Sequence, residues 1–404
     1  MGVDLCTIQI ERPVNNSKIP YLEALTNNRI HNHMTIGLLK EPSHETRVSL
    51  LDEAVNSLTK KGITVLVEAG AGEKAFCSNA AFEKAGGKIV SRQDVLQSSD
   101  MILAIHPPAT AEIAGLKNPL LVGVFQPLYQ PGLMKEWAAA GATTFSLDML
   151  PRTTRAQSMD VLSSQANIAG YRAVLLGATT YPRYMPMFMT AAGSIKPAKV
   201  MILGAGVAGL QAIATARRLG AVVEVFDVRP AVKEEVMSLG AKFIEVEGAA
   251  DVSKAGGYAV EQTTEFLERQ KAKIAESIAK ADIVISTAQI PGKKAPLLIE
   301  GYMVDAMRQG SVIIDLAAAT GGNCAYTRNN ETIVVNGVTI IGDSSLQSGM
   351  PSDASKMYGK NVLNFLQLII DKEGNLNLNW EDDLVKGCCI THGNEIVNER
   401  VKSL

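Results

Sequence analysis

The stretch VMILGAGVAG, residues 200–209, decides the fold of this 404-residue chain. Its apolar start predicts a buried strand, and a G-x-G-x-x-G pattern follows directly and opens an apolar helical pattern. In such a turn Gly204 permits a tight bend, Gly206 lets the backbone approach a pyrophosphate, and Gly209 lets the helix pack closely on the strand. Unpaired N–H groups at the helix start would face the phosphates. The stretch therefore predicts a dinucleotide-binding unit.

The next apolar run, VVEVFD, ends in Asp227, close to the spacing of ~20 residues at which a ribose-binding acidic residue is expected. A carboxylate there accepts hydrogen bonds from a ribose 2′-OH and repels a 2′-phosphate, which favours NAD(H) over NADP(H). Arg229 follows shortly after and would weaken this preference. We expect Ala205 and Val207 of the turn, and Val228 beside the acid, to belong to the same site. The alternative, a strand–turn–helix with incidental glycines, leaves Asp227 unexplained.

The composition argues against several classes of function. The formal net charge is -2 without a strongly basic block, so nucleic-acid binding has little electrostatic support. One of the two longest runs without charged residues, 200–216, is interrupted by glycines, and we interpret it as strand and helix rather than as a membrane span. The N-terminus has no apolar signal core, which indicates an intracellular protein. The cysteines form no C-x-x-C pair, so we expect neither a metal site nor disulfides.

Strands alternate with helices along the chain, which predicts an α/β fold of two doubly wound Rossmann-like domains separated by a cleft. We assign residues 1–33 to an N-terminal extension and residues 161–349 to the NAD(H)-binding domain. The other domain is built from residues 34–160 plus 350–404, because one helix near residue 350 returns the chain to it. The segment CCITHGNEIV there predicts a last edge strand. Between the predicted helix and residue 200 lie three methionines, interpreted as core residues: Met185, Met187 and Met189.

A second stretch, PRTTRAQSMDVLSSQ at residues 151–165, concentrates hydrogen-bonding side chains in front of an apolar helical pattern. We call it the polar stretch. It holds arginines, glutamines, an aspartate and several hydroxyl groups. One interpretation is a helix N-cap with a solvated first turn; the other is a functional site. The helix that follows is predicted from about residue 158 to 176.

Six segments together carry a resemblance to a known family. They are, in chain order, IGLLKEPSHETRVSL, VLVEAGAGEKAF, PRTTRAQSMDVLSSQANIAGYRAV, MTAAGSIKPAKVMILGAGVAG, STAQIPGKKAP and GGNC. With these segments the chain resembles the NAD(H)-binding alpha-1 subunit (domain I) of proton-translocating NAD(P) transhydrogenase over nearly its whole length after about residue 34. The segment RAQSMDVLSSQ is specific to that family, and the others are shared with the related alanine dehydrogenases.

The resemblance implies an activity and a set of partners. This chain would bind only NAD(H), and a hydride would pass directly, with Re/Si specificity, to or from NADP(H) on a separate beta subunit. A membrane-spanning subunit would couple the transfer to proton translocation. The chain would be a homodimer, without a membrane span of its own, peripheral on the cytoplasmic face of the inner membrane.

The resemblance also gives roles to the polar stretch. Arg152 and Asp160 would form an ion pair, with Arg152 or Ser163 reaching the carboxamide of NAD(H). Gln157 would meet the ribose of NADP(H) on the partner subunit. Hydride transfer between two nicotinamide rings moves no proton and needs no acid or base, but it requires the rings to be held face to face.

Other positions of the family pattern lie in the second half of the chain. Ala288 and Pro291 of STAQIPGKKAP should lie near the dinucleotide, and Tyr258 stands where the family has a mobile lid loop. One departure is clear, because Ala319 and Thr320 stand before GGN where the family has an acidic residue. We therefore expect no charged contact from that position.

Two alternatives to the transhydrogenase function remain open. An alanine dehydrogenase-like amino-acid dehydrogenase would need a lysine after MILAI and a histidine acid/base near the next strand. The chain has no lysine there and has Gln126 near the second position, while His106 at the strand end is interpreted as structural. The other alternative is a non-catalytic NAD-binding module. The complete polar stretch argues against it, because a sensor does not need a positioned nicotinamide.

Overall fold

The architecture is known from a computed structural model that describes residues 34–246 and 264–404, except for the side chain of Phe266. The strands are, in chain order, β1 (Thr35–Leu38), β2 (Thr64–Glu68), β3 (Lys88–Val90), β4 (Met101–Leu103), β5 (Leu120–Gly123), β6 (Thr143–Ser146), β7 (Phe188–Thr190), β8 (Gly193–Ile195), β9 (Lys199–Leu203), β10 (Val222–Phe226), β11 (Lys242–Phe243), β12 (Ile283–Ser286), β13 (Val312–Asp315), β14 (Thr332–Val335), β15 (Val338–Ile341), β16 (Cys389–His392) and β17 (Glu395–Ile396).

The helices alternate with these strands. They are α1 (Asp52–Thr59), α2 (Asn79–Lys84), α3 (Arg92–Ser98), α4 (Thr110–Ile113), α5 (Pro131–Ala139), α6 (Val161–Thr180), α7 (Val207–Arg218), α8 (Lys233–Ser238), α9 (Thr264–Ile278), α10 (Gly301–Asp305), α11 (Pro351–Ile369), α12 (Asp383–Cys388) and α13 (Glu399–Lys402). None of the helices in the described part of the chain has both the length and the apolar character needed to cross a bilayer.

The first sheet has the strand order β17-β16-β6-β5-β4-β1-β2-β3 within the described residues. Strands β1 to β6 are parallel, whereas β16 pairs antiparallel with β6 and β17 pairs antiparallel with β16. The predicted edge strand in CCITHGNEIV is thus confirmed as the hairpin β16–β17. Helix α11 brings the chain back to this sheet, where Phe365 packs on Phe145 with ring centroids 5.6 Å apart.

In the described part of the chain, the second sheet has the order β11-β10-β9-β12-β13-β15-β14, in which only β14 runs antiparallel to its neighbour. Its central strands are mostly apolar, as expected where helices cover both faces of a parallel sheet. The four residues of β12 and the four of β13 are all buried. The prediction of an α/β fold with two doubly wound Rossmann-like units is confirmed.

The strand order reverses once in each sheet, between β1 and β4 in the first and between β9 and β12 in the second. Ligands of open α/β sheets bind outside the carboxyl ends of the strands at such a reversal. The segments that follow β9 and β12 are residues 204–209 and 287–296, which we call the glycine turn and the Ala288 loop. The predicted domain division near residues 160 and 350 stays a prediction, and the predicted extension 1–33 lies outside the described residues.

The structure corrects two predictions around α6. The helix begins at Val161 rather than near residue 158, because Asp160 caps it by accepting a hydrogen bond from the Ser163 N–H at 2.9 Å. A short 3-10 turn, Thr154–Met159, precedes the cap. Helix α6 then continues to Thr180, four residues beyond the predicted end near residue 176.

The interpretation of the three methionines as core residues is wrong for two of them. Met185 is buried, but Met187 and Met189 are 65% and 72% exposed. The reason is that, among the residues that the structure describes, β7 and β8 pair only with each other. This two-stranded hairpin belongs to neither large sheet, so its apolar side chains have no core to face.

Candidate functional site

The glycine turn has three glycines with three different surroundings. Gly204 has a φ of 100°, a left-handed conformation that favours glycine. A Cβ on Gly209 would lie 1.9 Å from the carbonyl oxygen of Gly204, so only glycine allows α7 to pack this closely on the strand. A Cβ on Gly206 would meet no protein atom within 4 Å. Open space above Gly206 is what the approach of a ligand to this backbone requires.

Helix α7 begins at the glycine turn with Gly206 as its N-cap, so no side chain caps the helix. The first N–H groups of a helix have no intrahelical partner and carry the positive end of its dipole. Ala205 is buried beneath the turn, whereas Val207 is 40% exposed on its outer side. The turn therefore offers backbone donors, rather than cationic side chains, to an anionic group.

Asp227 at the end of β10 faces the glycine turn. Its carboxylate accepts hydrogen bonds from the Ala205 N–H at 2.7 Å and from the backbone N–H of Arg229 at 2.8 Å. The guanidinium of Arg229 forms an ion pair with the same carboxylate at 2.9 Å, and this pairing raises the pKa of Arg229. The side chain of Asp227 is only 6% exposed. The Asp227 carboxylate therefore lies against the glycine turn with Arg229 as its partner, and its role as ribose acceptor stays a prediction.

A small cavity of about 80 Å³ lies next to Asp227. Its apolar lining includes Phe226, Val228 and Ile244. Lys233 and Glu245 also line it and form an ion pair at 2.5 Å. Of this lining, Val228 was predicted from the sequence. Ile244 and Glu245 were missed, because they follow β11, a strand of two residues with little sequence signal.

The Ala288 loop lies directly against the glycine turn. The Thr287 hydroxyl donates to the Gly204 carbonyl oxygen at 3.1 Å. The Ala288 N–H donates to the side chain of Asn323 at 3.2 Å, and Pro291 is exposed further along the loop. The structure therefore places Ala288 at the edge of the glycine turn, and the proximity of Ala288 and Pro291 to the dinucleotide stays a prediction.

The Ala288 loop also contacts the segment that follows β5 of the first sheet. The Tyr129 hydroxyl donates to the Ile290 carbonyl oxygen at 3.2 Å and accepts from the Gly292 N–H at 3.0 Å. The polar stretch follows β6, the parallel neighbour of β5, and therefore leaves the first sheet at the same edge. The carboxyl edges of the two sheets thus meet near the Ala288 loop.

The predicted site residues of the polar stretch fall into two groups. Arg152 and Gln157 are exposed. Asp160 accepts hydrogen bonds from both the backbone N–H and the hydroxyl of Ser163, at 2.9 and 2.6 Å. The ion pair of Arg152 with Asp160 stays a prediction. Tyr258 lies outside the described residues.

The polar stretch is held by side chains from the C-terminal region of the chain, which sequence reasoning missed. Asn361 and Asn364 on α11 both donate to the Ser158 carbonyl oxygen, at 2.8 and 2.9 Å. Arg155 forms ion pairs with Asp382 and with Asp383. The pKa of Asp382 is lowered, chiefly by its hydrogen bond from Arg155. The only signal in the sequence was the i, i+3 spacing of the two asparagines on one helix face.

A buried ionic network lies beneath the start of α6. Glu45 and Arg47 form an ion pair at 2.6 Å, and Arg47 also donates to Gln165 at 2.8 Å. The His106 ring lies 2.8 Å from Glu45, which agrees with a structural role for this histidine. Glu41 accepts from the backbone N–H of Ile105 and of His106, yet its burial raises its pKa to about 7.

No cluster of three potential metal ligands occurs among the described residues. The described cysteines are buried free thiols, namely Cys77, Cys324, Cys388 and Cys389; Cys6 lies outside the described residues. Burial raises the pKa of the Cys77 and Cys324 thiols. A raised pKa disfavours the reactive thiolate form at Cys77 and Cys324.

Comparison with known proteins shows the family to which the chain belongs. The family model "Alanine dehydrogenase/PNT, N-terminal domain" matches residues 37–169, and "Alanine dehydrogenase/PNT, C-terminal domain" matches residues 173–399. The chain is 44% identical over 364 residues to a NAD(P) transhydrogenase subunit alpha chain of Rhodospirillum rubrum, a match that covers 88% of this chain and 95% of that one.

Comparison with solved structures leads to the same family. The crystal structure of transhydrogenase from Sinorhizobium meliloti matches with a TM-score of 0.82 and 44% identity, over 90% of this chain and 99% of that chain. An L-alanine dehydrogenase structure matches with a TM-score of 0.77 and 25% identity, over 92% and 98% of the two chains. The chain therefore belongs to the alanine dehydrogenase/PNT family, on the side of the NAD(P) transhydrogenase alpha subunits.

Proposed function

We propose that the chain is the NAD(H)-binding subunit of a transhydrogenase. A hydride would pass between C4 of the nicotinamide bound here and C4 of NADP(H) bound on a partner subunit. NADH and NADP⁺ then become NAD⁺ and NADPH, and no proton is taken up or released in the transfer itself. The observation that carries the proposal is the glycine turn, open above Gly206 and flanked by Asp227 and the Ala288 loop at the reversal of the second sheet.

Different residues of the chain would bind different parts of NAD(H). The backbone N–H groups at the start of α7 would bind the pyrophosphate, and Asp227 would accept from the ribose hydroxyls. The apolar side chains that line the cavity beside Asp227 would pack against the flat adenine ring. Arg229 already holds the Asp227 carboxylate, so it would stay beside the ribose rather than leave that carboxylate unpaired.

The polar stretch would hold the nicotinamide end. Asp160 fixes the Ser163 hydroxyl, and Ser163 or Arg152 would bind the carboxamide. Gln157 is exposed and so is accessible to NADP(H) on a partner subunit. None of these groups needs to transfer a proton, because their task is to orient two rings at near-contact distance.

The proposal includes an assembly. The chain would be a homodimer that binds an NADP(H)-binding beta subunit, with proton translocation in a membrane-spanning subunit and this chain peripheral on the cytoplasmic face of the inner membrane. What supports the homodimer is the isolated hairpin β7–β8, with Met187, Met189 and Ile195 exposed and Tyr184 stacked on Phe188 at 5.1 Å. A two-stranded hairpin is marginal alone, and an exposed apolar patch marks an interface.

The test is NADH consumption by the purified chain under two conditions. One mixture contains pyruvate and ammonium alone; the other contains an NADP(H)-binding transhydrogenase subunit loaded with NADP⁺. We expect turnover only with the partner subunit. Turnover with pyruvate and ammonium alone would instead support an amino-acid dehydrogenase and make His106 the candidate acid/base. Binding of NADH without turnover in either mixture would support a non-catalytic module.

A further inference from the structure

Asn323 lies at the centre of the hydrogen bonds that fix the Ala288 loop. Its side-chain amide donates to the carbonyl oxygens of Ala288 and Pro296, at 2.9 and 2.8 Å, and accepts from the Ala288 N–H at 3.2 Å. The residue is fully buried. One amide group thus joins both ends of the loop and uses both of its hydrogens.

The backbone of Asn323 is fixed just as firmly. Its N–H donates to the Asp315 carboxylate at 2.6 Å, and its carbonyl oxygen accepts from the N–H groups of Leu298 and Ile299. Asp315 ends β13, is fully buried, and also accepts from the Thr327 hydroxyl at 2.6 Å. Asn323 is therefore anchored to the second sheet rather than to the loop that it holds.

The contacts continue from Asn323 to the glycine turn. Ala288 follows Thr287, whose hydroxyl donates to the Gly204 carbonyl oxygen. A Cβ on Gly204 would lie 2.6 Å from that hydroxyl, so the Ala288 loop and the glycine turn are closely packed against each other. A shift of the loop would therefore move the wall beside the glycine turn.

We infer that Asn323 is a positioning residue for NAD(H) binding, holding the Ala288 loop against the glycine turn so that the loop closes one side of the dinucleotide site. The inference rests on the proposed function. It also gives the GGN segment a role in a chain that has Ala319 and Thr320 in place of an acidic residue. The segment acts through the loop and not by a charged contact of its own.

The chemistry requires an amide. In the variant Asn323→Asp the side chain has the same shape but, with at most one hydrogen to donate, cannot satisfy both carbonyl oxygens. It would face the carbonyl oxygens of Ala288 and Pro296, and acceptor against acceptor repels the loop. We expect the loop to move away from the glycine turn while the second sheet remains folded.

The experiment compares the wild-type chain with Asn323→Asp and with the control Thr391→Val. Thr391 is equally buried and donates to Ala142 at 2.7 Å, but it lies in β16 of the first sheet. NADH affinity is measured by fluorescence titration, thermal unfolding gives stability, and turnover with the partner subunit gives KM and kcat. We expect Asn323→Asp to weaken NADH binding about tenfold or more, raising KM with little change in kcat.

Three outcomes decide between the possibilities. Failure of the wild-type chain to bind NADH would contradict the proposed function itself. Wild-type affinity in Asn323→Asp, or an equal loss of affinity in Thr391→Val, would overturn the positioning role alone. If Asn323→Asp does not fold, Gln289→Ala serves instead, because Gln289 is exposed and holds the same loop by donating to Leu316 at 2.9 Å. We expect about threefold weaker NADH binding from Gln289→Ala, and unchanged binding would overturn the inference.

Discussion

The glycine turn and the polar stretch are positioned in opposite ways. In the glycine turn, Gly204 and Gly209 are close in sequence and contact each other through backbone atoms. The polar stretch is held by the side chains of Asn361, Asn364 and Asp382, about two hundred residues further along the chain. A local motif therefore builds one half of the candidate site, and tertiary contacts build the other.

The difference has a physical consequence for mutation. A turn that binds through its backbone has no other side chains to share that role, so single substitutions there should act strongly on binding. A stretch held by several side-chain hydrogen bonds loses only some of its support when one is removed, since each contributes about 1 kcal/mol. We therefore expect a steep response in the first region and a graded response in the second.

The largest effect should come from alanine in the glycine turn. Gly206→Ala adds a Cβ that meets no protein atom within 4 Å, so the chain should fold normally. The same methyl group occupies the space that a pyrophosphate needs, and we expect NADH affinity to fall more than about 100-fold. Isothermal titration with NADH and urea unfolding of the same sample measure the two quantities.

Gly209→Ala is the variant to compare with Gly206→Ala, because it adds the same methyl group at a closely packed position. Its Cβ would lie 1.9 Å from a backbone oxygen, so strand and helix must separate, at a cost of about 1–3 kcal/mol in the free energy of unfolding. We expect loss of both binding and stability. Equal stability losses in the two variants would contradict the separate roles of Gly206 and Gly209.

The contrast also explains what the sequence could predict. The parallel strands, the glycine turn and Asp227 follow from hydrophobic patterns and spacing, because all of them are local. The N-cap of α6 at Asp160 is also a local feature, and the predicted start of this helix lies only three residues before the observed one. Local rules were sufficient wherever the partners are neighbours in the chain.

Most of the missed features depend on partners that are distant in the chain. The ion pair between Arg229 and Asp227 is local in sequence. Whether the guanidinium turns towards that carboxylate is nevertheless decided by packing. The exposure of Met187 and Met189 depends on whether the hairpin joins a sheet, which composition does not determine. The sequence does not distinguish Asn323 and Asn361 from ordinary loop and helix residues, because their hydrogen-bond acceptors come close only in the folded chain.

The second prediction concerns pH, because the polar stretch lies above ionisable groups. Burial raises the pKa of Glu41 to about 7 from 4.5, so the folded state holds its proton more tightly than the unfolded state. The free energy of unfolding should therefore fall as pH rises from about 5 to 8, by at most about 3 kcal/mol. Urea unfolding at several pH values measures it.

Glu45 does not mask this effect. Its pKa is lowered by Arg47 and His106 despite burial, so its contribution is lost only as pH falls into the acid range, below that window. Glu41→Gln should flatten the stability profile between about pH 5 and 8. A slope that persists in this variant would mean that other groups cause it.

The third prediction tests the cap of α6. Asp160→Ala removes both acceptors of Ser163 and should cost about 1 kcal/mol of stability. We expect hydride transfer with the partner subunit to fall about tenfold, because a displaced Ser163 no longer orients the nicotinamide. Ser91→Ala is the control, since the Ser91 hydroxyl caps α3 by accepting from the Asp94 N–H and also donates to the Asp94 carboxylate. Equal rate losses in both variants would reduce the role of Asp160 to that of a helix cap.

The smallest effects should come from the two asparagines of α11. Each donates to the same Ser158 oxygen, so Asn364→Ala leaves the bond from Asn361 in place and should change hydride transfer by less than about twofold. Asn361→Ala also loses the partner of the Ser164 hydroxyl at 2.7 Å, and we expect about a threefold loss. NADH affinity should stay unchanged in both, because the glycine turn does not depend on α11. Weaker NADH binding in either variant would show that the two regions are coupled and that the division into local and tertiary halves does not hold.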